Sequence, residues 1–180
     1  MKKIKICLLA LTVLVAATSF GQDDKKKASG TSFSVGLEAG LPIGDLKKLD
    51  ASFGIGGSAK VGIPVFSGAD VTISAGYISF MGKTVQGFKI PALGTIPVKA
   101  GLRFMLGSGF YGEPQLGYTI AKYSGIDGNL NGFTYAAGVG YKVSQVDVGV
   151  RYEAWSKSEN GVSITPSFIG LRVAYNVMGN

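Results

Sequence analysis

Hydrophobic residues stand at every second position along nearly the whole chain after Thr31, and no stretch sustains a helical period. In the first segment, five apolar residues from Phe33 to Leu41 alternate with serine, glycine and glutamate. Because successive side chains of a strand point to opposite faces, this period of two predicts β-strands with one apolar face. Seven further segments repeat the pattern: 53–65, 71–81, 96–106, 113–120, 133–143, 146–154 and 169–177. The chain is therefore predicted to be all-β, with eight strands.

The connections between these segments alternate in length. Three are short, at Phe66–Asp70, Gly107–Gly109 and Ser144–Gln145, and four are longer and polar, at about 43–52, 82–91, 124–131 and 156–162. Short turns at one end and longer loops at the other are typical of outer-membrane barrels, whose short turns face the periplasm. An even strand count also places both chain ends on the turn side. The pattern predicts an eight-stranded antiparallel up-and-down transmembrane β-barrel.

Alternation alone does not separate such a barrel from a soluble carrier, which has its apolar face inside. The second face of these strands is mostly glycine, serine, threonine and alanine, and the chain has 28 glycines in 180 residues. Glycine weakens a strand, and a solvated face sets no size limit, whereas the inside of a narrow barrel does. This face also carries six basic and four acidic residues, which we predict to pair inside the lumen: Glu38, Lys60, Lys99, Arg103, Glu113, Lys142, Asp147, Arg151, Glu153 and Arg172.

Aromatic residues gather near the predicted strand ends. The loop-side group is Phe53, Phe80, Tyr123, Phe133 and Trp155, and the turn-side group is Phe66, Phe104, Phe110, Tyr111, Tyr141 and Tyr175. Aromatic rings favour the headgroup zone of a bilayer, so two such groups predict two girdles around a membrane barrel.

The first 21 residues have the pattern of a secretory signal. Lys2, Lys3 and Lys5 precede an apolar stretch from Ile6 to Ala17, which is shorter than the roughly 20 residues that a spanning helix needs. Cleavage is expected near Gly21–Gln22, or after Ala17 or Ser19. The expected organisation is a signal peptide at 1–21, a flexible periplasmic tail at 22–31 and an outer-membrane barrel domain at 32–180.

Composition argues against an enzyme. The chain contains no histidine, and its one cysteine, Cys7, lies in the predicted signal. Histidine-dependent hydrolysis or acyl transfer and histidine metal sites are therefore excluded, and the mature part carries no thiol chemistry. Removing the three signal lysines would lower the formal charge from +7 to +4, which is too mild to indicate nucleic-acid binding.

Two short motifs resemble ligand sites but are better explained by the strand and hairpin structure around them. Gly54–Ala59 fits a loose GxGxxA pattern but lies inside a strand, where a dinucleotide site is not expected. Asp127–Gly132 matches the first half of a calcium loop, but glycine stands at its twelfth position, Gly138, and a polar hairpin loop explains it better. We predict no catalytic, cofactor or metal site.

Three runs resemble the porin-like outer-membrane β-barrel proteins of Bacteroidetes: Phe53-Gly-Ile-Gly-Gly-Ser-Ala-Lys60, Ile96-Pro-Val-Lys-Ala-Gly-Leu-Arg103 and Gly170-Leu-Arg-Val-Ala-Tyr-Asn176. The resemblance implies a barrel in the outer membrane and transfers no catalytic residues. The last strand also resembles the barrel-assembly signal, with Gly170, Val173 and Tyr175 in the expected spacing. It departs from that signal because Val177 stands where a terminal phenylalanine is usual.

The sequence thus predicts a non-enzymatic outer-membrane barrel with a structural or surface-interaction role. Expected partners are outer-membrane lipid and lipopolysaccharide, the barrel-assembly machinery, and a surface partner bound through the loops, with the barrel itself a monomer. Two alternatives stay open: a soluble periplasmic lipocalin-like carrier of an apolar ligand, and a narrow small-solute channel.

Overall fold

A computed structural model describes residues 30–85, 87–125, 129–159 and 162–179. The predicted signal peptide, most of the predicted tail, Cys7 and Asp127 lie outside the described residues. Long strands follow one another along the described chain. The connections at one end of the strands contain a short helix and short strands, and those at the other end are tight turns.

Eight long strands form the barrel: β1 (Ser32–Ile43), β2 (Ala51–Phe66), β3 (Ala69–Gly82), β6 (Leu93–Gly107), β7 (Phe110–Tyr123), β8 (Gly132–Val143), β9 (Val146–Glu159) and β11 (Pro166–Met178). Short elements occupy the connections at one end: the helix α1 (Gly44–Lys48), the hairpin strands β4 (Thr84–Val85) and β5 (Phe88–Lys89), and strand β10 (Val162–Ile164), which pairs with the end of β9.

Each barrel strand pairs antiparallel with its neighbour in the chain, and β11 returns to pair with β1. Glu38 at the closing seam faces Arg172 on β11 and Gly56 on β2. The ring is therefore closed, and the predicted eight-stranded up-and-down barrel is confirmed. Closure gives every barrel strand two hydrogen-bonded neighbours, which removes the exposed edges of an open sheet.

The three predicted short turns lie together at one end of the barrel, called here the turn end. They join β2 to β3, β6 to β7 and β8 to β9. Ser108 and Ser144 have φ angles of 51° and 52°, so the backbone is left-handed at both of these tight reversals. Ser32 and Met178, the outermost residues of β1 and β11, lie at the same end, as the even strand count predicts.

The opposite end, called here the loop end, holds more regular structure than the sequence predicts. Residues 43–52 contain α1, residues 82–91 contain the β4–β5 hairpin, and β9 continues through most of its predicted loop to pair with β10. The polar loop interpretation was wrong for these three segments, because one helical turn and strands of two or three residues are too short to show a period. Within the described residues, no helix is long and apolar enough to cross a membrane.

The two faces of the barrel wall differ sharply in polarity. On β1, Leu37 points outward and is 76% exposed, whereas its neighbour Glu38 points inward and is 5% exposed. The same alternation runs around the ring, and the outward residues include Leu102, Val148 and Val150. Apolar side chains outside and polar ones inside are the arrangement of a membrane barrel and the reverse of a lipocalin. The soluble-carrier alternative is not supported.

The aromatic girdles are only partly as predicted. Phe53 and Phe133 at the loop end and Phe66 and Phe110 at the turn end face outward. Four of the predicted girdle residues instead lie on the inner face: Phe80, Tyr111, Tyr123 and Trp155. Phe80 is an even number of residues from the inward Thr72, and Trp155 is an even number from the inward Glu153. The alternation along the strand therefore predicts the direction of these side chains better than their nearness to a strand end.

We expect Val150→Lys to lower the free energy of unfolding by about 2–4 kcal/mol, because it places a charge near the middle of the lipid-facing surface. Val150 is 47% exposed and lies between Val139 and Leu171 on neighbouring strands. Urea unfolding in phospholipid vesicles measures the change. Val143→Lys, at the turn end of β8, is the matched control and should cost roughly 0–1 kcal/mol. Equal costs at the two positions would contradict a lipid-facing wall.

Candidate functional site

Nine of the ten charged residues predicted for the lumen form one connected group, called here the interior charge network. Its members are Glu38, Lys60, Lys99, Arg103, Glu113, Asp147, Arg151, Glu153 and Arg172. They come from six of the eight barrel strands, every one except β3 and β8. Their side chains point inward because they occupy the alternate phase to the lipid-facing residues. Five positive and four negative charges leave the network near neutrality.

Arg151 is the centre of the half of the network nearer the loop end. Its Nε donates to Oε2 of Glu153 at 2.7 Å, and its Nη1 donates to Oε2 of Glu38 at 2.7 Å. The Lys99 ammonium donates to the same Glu153 oxygen. A single arginine thus bridges two carboxylates from strands that lie on opposite sides of β11.

Glu113 is the centre of the other half. Its Oε2 accepts from Nζ of Lys60 at 2.7 Å and lies 3.7 Å from Nη2 of Arg103. Its Oε1 accepts from the Thr72 hydroxyl at 2.6 Å and from the Gln115 amide at 2.8 Å. The carboxylate therefore has both a charged partner and neutral donors, which offsets the cost of its burial.

Arg172 and Asp147 join the two halves. Arg172 Nε lies 3.6 Å from Oε1 of Glu38, and its Nη1 lies 3.9 Å from Oδ2 of Asp147. Asp147 also accepts from the Tyr111 hydroxyl at 2.6 Å and lies 3.4 Å from Arg103. The ion pairs consequently continue without a break from Lys99 to Lys60.

The tenth predicted residue, Lys142, lies outside the network. It stands near the turn end of β8, opposite Asp147 on β9, and it makes no ion pair with any described residue. Its side chain is half-buried, so water reaches it from the turn end.

Small residues on the inner wall make room for the large ones. A Cβ on Gly149 would lie 3.0 Å from the Tyr111 hydroxyl, and one on Gly140 would collide with the same ring. Tyr111 therefore packs flat against two glycines and carries its hydroxyl to Asp147. The glycine-rich face that suggested a narrow lumen provides this space.

Two small polar cavities remain within the network, each with about 30 Å³ open to the centre of a water molecule. Lys60, Gln115, Arg151 and Arg172 line both of them. The Ser74 hydroxyl, on the wall of the first, is buried and has no hydrogen-bond partner among the described residues. Polar cavities of this size have room for about two ordered water molecules each.

A buried apolar cluster, called here the mouth cluster, fills the barrel at the loop end. It consists of Leu46, Ala51, Ile78, Phe80, Leu93, Ala121, Leu130, Trp155 and Phe168. The ring of Phe168 packs edge-on against Phe80 at 5.2 Å and against Trp155 at 6.4 Å between centroids. Sequence reasoning missed this cluster, although the inward phase of Phe80, Trp155 and Phe168 was a usable signal.

Loop segments complete the mouth cluster from above. The Trp155 indole N–H donates to the carbonyl of Leu130 at 2.7 Å, which holds Leu130 against the ring. On the other side, the backbone N–H of Thr165 donates to Oδ2 of Asp45 at 3.0 Å and ties α1 to the start of β11. That bond and the neighbouring Lys48 ammonium lower the pKa of Asp45 from its ordinary value. Leu46 is thereby held inside the mouth.

The chemistry available in this interior is limited. All four carboxylates of the network are engaged by cations, so a free acid–base pair is absent from it. Among the described residues, no group of histidine, cysteine, aspartate or glutamate side chains is placed to hold a metal ion. Asp127, from the calcium-loop motif, lies outside the described residues.

Solved structures share this architecture. The N-terminal β-barrel domain of Pseudomonas aeruginosa OprF matches with a TM-score of 0.55 and 16% identity, covering 79% of this chain and 96% of that one. Ail of Yersinia pestis, in a phospholipid bilayer nanodisc, matches with a TM-score of 0.54 and 21% identity, covering 82% and 99%. Neisserial surface protein A gives a TM-score of 0.50 with 18% identity, covering 81% and 98%. At these identities the likeness is one of fold.

Sequence comparison supplies the family. No curated protein gives a significant match. The family model described as outer membrane protein beta-barrel domain matches residues 7–176, almost the whole chain. With the closed eight-stranded ring and the apolar outer wall, this match places the protein in the outer membrane. The chain belongs to the outer membrane protein beta-barrel domain family.

Proposed function

We propose that this protein is a monomeric, non-enzymatic and non-conducting barrel that acts as a structural element of the outer membrane and through its outer surfaces. The observation that carries the proposal is the filled interior, with the mouth cluster at one end and the interior charge network below it. An eight-stranded barrel is just wide enough for side chains to fill. Conduction or binding of an organic ligand inside the lumen would need the space that these side chains occupy.

The narrow-channel alternative is the weaker one. A conducting path requires a continuous wet route, and Leu46, Phe80, Trp155 and Phe168 are all fully buried across the loop end. The cavities below them each have room for only about two waters and are bounded by ion-paired side chains. Ion passage would have to break both the apolar packing and several salt bridges.

A non-enzymatic role is supported by the lack of histidine and by the pairing of the interior carboxylates. The buried Tyr111 hydroxyl donates to Asp147 at 2.6 Å, and it faces glycines rather than an open pocket. An accessible nucleophile with a positioned base is the minimum for covalent catalysis, and the interior provides no access for a substrate.

Partners are expected outside the barrel. Lipid contacts the apolar wall, and we further propose lipopolysaccharide at the loop end and the barrel-assembly machinery during insertion, with β11 as the assembly signal. One Ail structure was solved in complex with the heparin analogue sucrose octasulfate. A surface partner bound through the loop-end segments is the corresponding proposal for this chain.

The remaining organisation is also proposed. Residues 1–21 would direct export and be removed, and 22–31 would form a tail in the periplasm. The position of Ser32 at the turn end supports this arrangement, because the turn end of such barrels faces the periplasm. Membership among the barrels of Bacteroidetes rests on the three sequence runs quoted above.

Planar-bilayer recording tests the proposal. Folded protein, verified by a mobility shift between unheated and boiled samples on a gel, should give no conductance steps in concentrated KCl. A wide trimeric porin prepared in the same detergent serves as the positive control. Regular steps from the folded barrel would overturn the non-conducting role, whereas recovery of the protein in the soluble periplasm would overturn the membrane role itself.

A further inference from the structure

Two lysines flank Ser74 on the inner wall of the barrel. In the strand register, Ser74 on β3 pairs with Lys60 on β2 and with Lys99 on β6. Residues directly opposite each other on neighbouring antiparallel strands hold their Cβ atoms about 4.5–5.5 Å apart on the same face. All three side chains are buried in the lumen. Positive charge is therefore concentrated around Ser74.

The carboxylates that pair with these two lysines come from other strands. Lys60 donates to Glu113 on β7, and Lys99 donates to Glu153 on β9. Each of these hydrogen bonds uses one of the three N–H donors of an ammonium group. Both ammonium groups can therefore donate to a second, small acceptor that lies between their strands.

The cavity that Ser74 lines has a positive wall. Five charged side chains lie on it, namely the cations Lys60, Lys99, Arg151 and Arg172 and the carboxylate Glu38. Low-dielectric surroundings lined by one sign of charge strengthen the field inside them and attract the opposite charge. The wall of this cavity therefore favours a small anion and repels a cation.

Two buried donors on the same wall have no acceptor. Ser74 is only 7% exposed, and its hydroxyl makes no hydrogen bond with a described residue. Arg172 is 6% exposed and donates to the hydroxyls of Ser58 and Ser34. Its Nη1 has no hydrogen-bond partner among the described residues and lies 3.9 Å from Oδ2 of Asp147. Because a buried donor without an acceptor destabilises a fold, we expect an acceptor in the cavity that both donors line.

The charge balance of the interior indicates an anion of charge minus one. The interior charge network has five cations and four carboxylates, which leaves one positive charge. Lys142 and Asp70, both half-buried near the turn end, have opposite signs and leave this balance unchanged. One monovalent anion would make the interior neutral, which lowers the cost of enclosing its charges in a low-dielectric ring.

We propose that the cavity beside Ser74 binds one chloride ion. Its donors belong to four residues, called here the halide site: Lys60, Ser74, Lys99 and Arg172. A chloride ion is monatomic and only slightly larger than a water molecule, so it fits a cavity with room for about two waters. Sulfate and phosphate exceed this space, because four oxygens surround their central atom. The halide site goes beyond the proposed function, since a held ion neither opens a path nor engages the outer surfaces.

Urea unfolding of the folded barrel in phospholipid vesicles, with chloride exchanged for methanesulfonate at constant ionic strength, tests the halide site. The unfolding equilibrium constant should fall about ten-fold for each ten-fold rise in chloride above the dissociation constant, because one ion binds only the folded state. Crystals grown in bromide should show an anomalous peak within hydrogen-bond distance of the Ser74 hydroxyl. Unfolding that is independent of chloride, or a bromide peak absent from this cavity, would overturn the site and leave water as its occupant.

Ser74→Asp and Ser74→Asn are a matched pair, because they have the same shape and only the aspartate brings the missing negative charge. In methanesulfonate, the unfolding equilibrium constant of Ser74→Asp should be lower than that of Ser74→Asn by about ten-fold or more, the usual effect of a hydrogen bond to a charged group. Ser74→Asp should also lose the dependence on chloride. Equal stability of the two variants would contradict an anion at this position.

Thr119→Val is the control for a general effect of removing an inner hydroxyl. Thr119 is buried and shares a hydrogen bond with Thr134, away from the cavity beside Ser74. This variant should keep the chloride dependence of the wild type, and its loss there would indicate a general salt effect instead of the halide site. The gel mobility shift of each variant reports barrel folding separately, so a failed halide site is distinguishable from a failed membrane role.

Discussion

Glu113→Ala is expected to lower the free energy of unfolding by about 3–5 kcal/mol, which is the usual cost of removing one partner from a buried ion pair. Glu113 accepts from Lys60, Thr72 and Gln115 and lies 3.7 Å from Arg103. Its removal leaves the buried Lys60 ammonium without a carboxylate and weakens the compensation of Arg103. The loss follows mainly from these stranded charges, rather than from the contacts alone.

Urea titration in phospholipid vesicles, followed by tryptophan fluorescence, measures this loss. Lys60→Met/Glu113→Leu is the informative control, because an apolar pair of similar volume often replaces a buried ion pair with little change in stability. Arg103 keeps Asp147 as a partner in that variant. The double variant should recover most of the loss. A single variant with wild-type stability would show that the network does not stabilise the fold.

Trp155→Ala is expected to cost about 3–5 kcal/mol and also to loosen the closed loop end. The indole is fully buried, packs against Phe168 and donates to the carbonyl of Leu130. Alanine would leave a cavity beside Leu130 and free that carbonyl. Calorimetry in detergent measures the stability, and planar-bilayer recording measures any new conductance.

Phe133→Ala provides the comparison for Trp155→Ala. Phe133 lies at the same end of the barrel but is 53% exposed on the outer wall. Its truncation should leave the mouth closed and cost clearly less than the loss of Trp155. Equal effects would mean that the loop end is held by general aromatic content and not by the mouth cluster.

The barrel could be predicted from the sequence because the same alternation of apolar and polar side chains runs through all of its strands. Phe33 to Leu41 already separates an apolar face from one bearing Glu38, and a spanning strand has no other way to meet lipid on one side only. Glycines opposite large residues, as with Gly149 and Tyr111, reflect the curvature of a narrow ring. In this fold the local sequence pattern therefore predicts the overall shape of the barrel.

The sequence did not predict which charged side chains form ion pairs inside the barrel. Lys60 and Glu113 are 53 residues apart and lie on strands that are not neighbours, so their contact depends on strand stagger and barrel diameter. Lys142 has the correct phase and stands opposite Asp147, but its side chain makes no ion pair with a described residue, and the alternating pattern does not show this difference. The mouth cluster was missed for another reason. Its aromatic residues lie near strand ends, as girdle residues do, and only their alternation relative to the inward Glu153 and Thr72 shows that they point into the barrel.

The interior charge network also sets a condition on how the barrel can enter a membrane. Arg151 meets Glu38 across a sequence separation of 113 residues, and Arg172 reaches Ser34 across 138. A hairpin inserted alone would expose these charges to hydrocarbon, and neither of these two contacts exists until β11 meets β1. We therefore expect insertion and ring closure to be a single concerted event for this sequence. Because that event depends on distant contacts, we expect it to be slow and the chain to need protection from aggregation until its two end strands join.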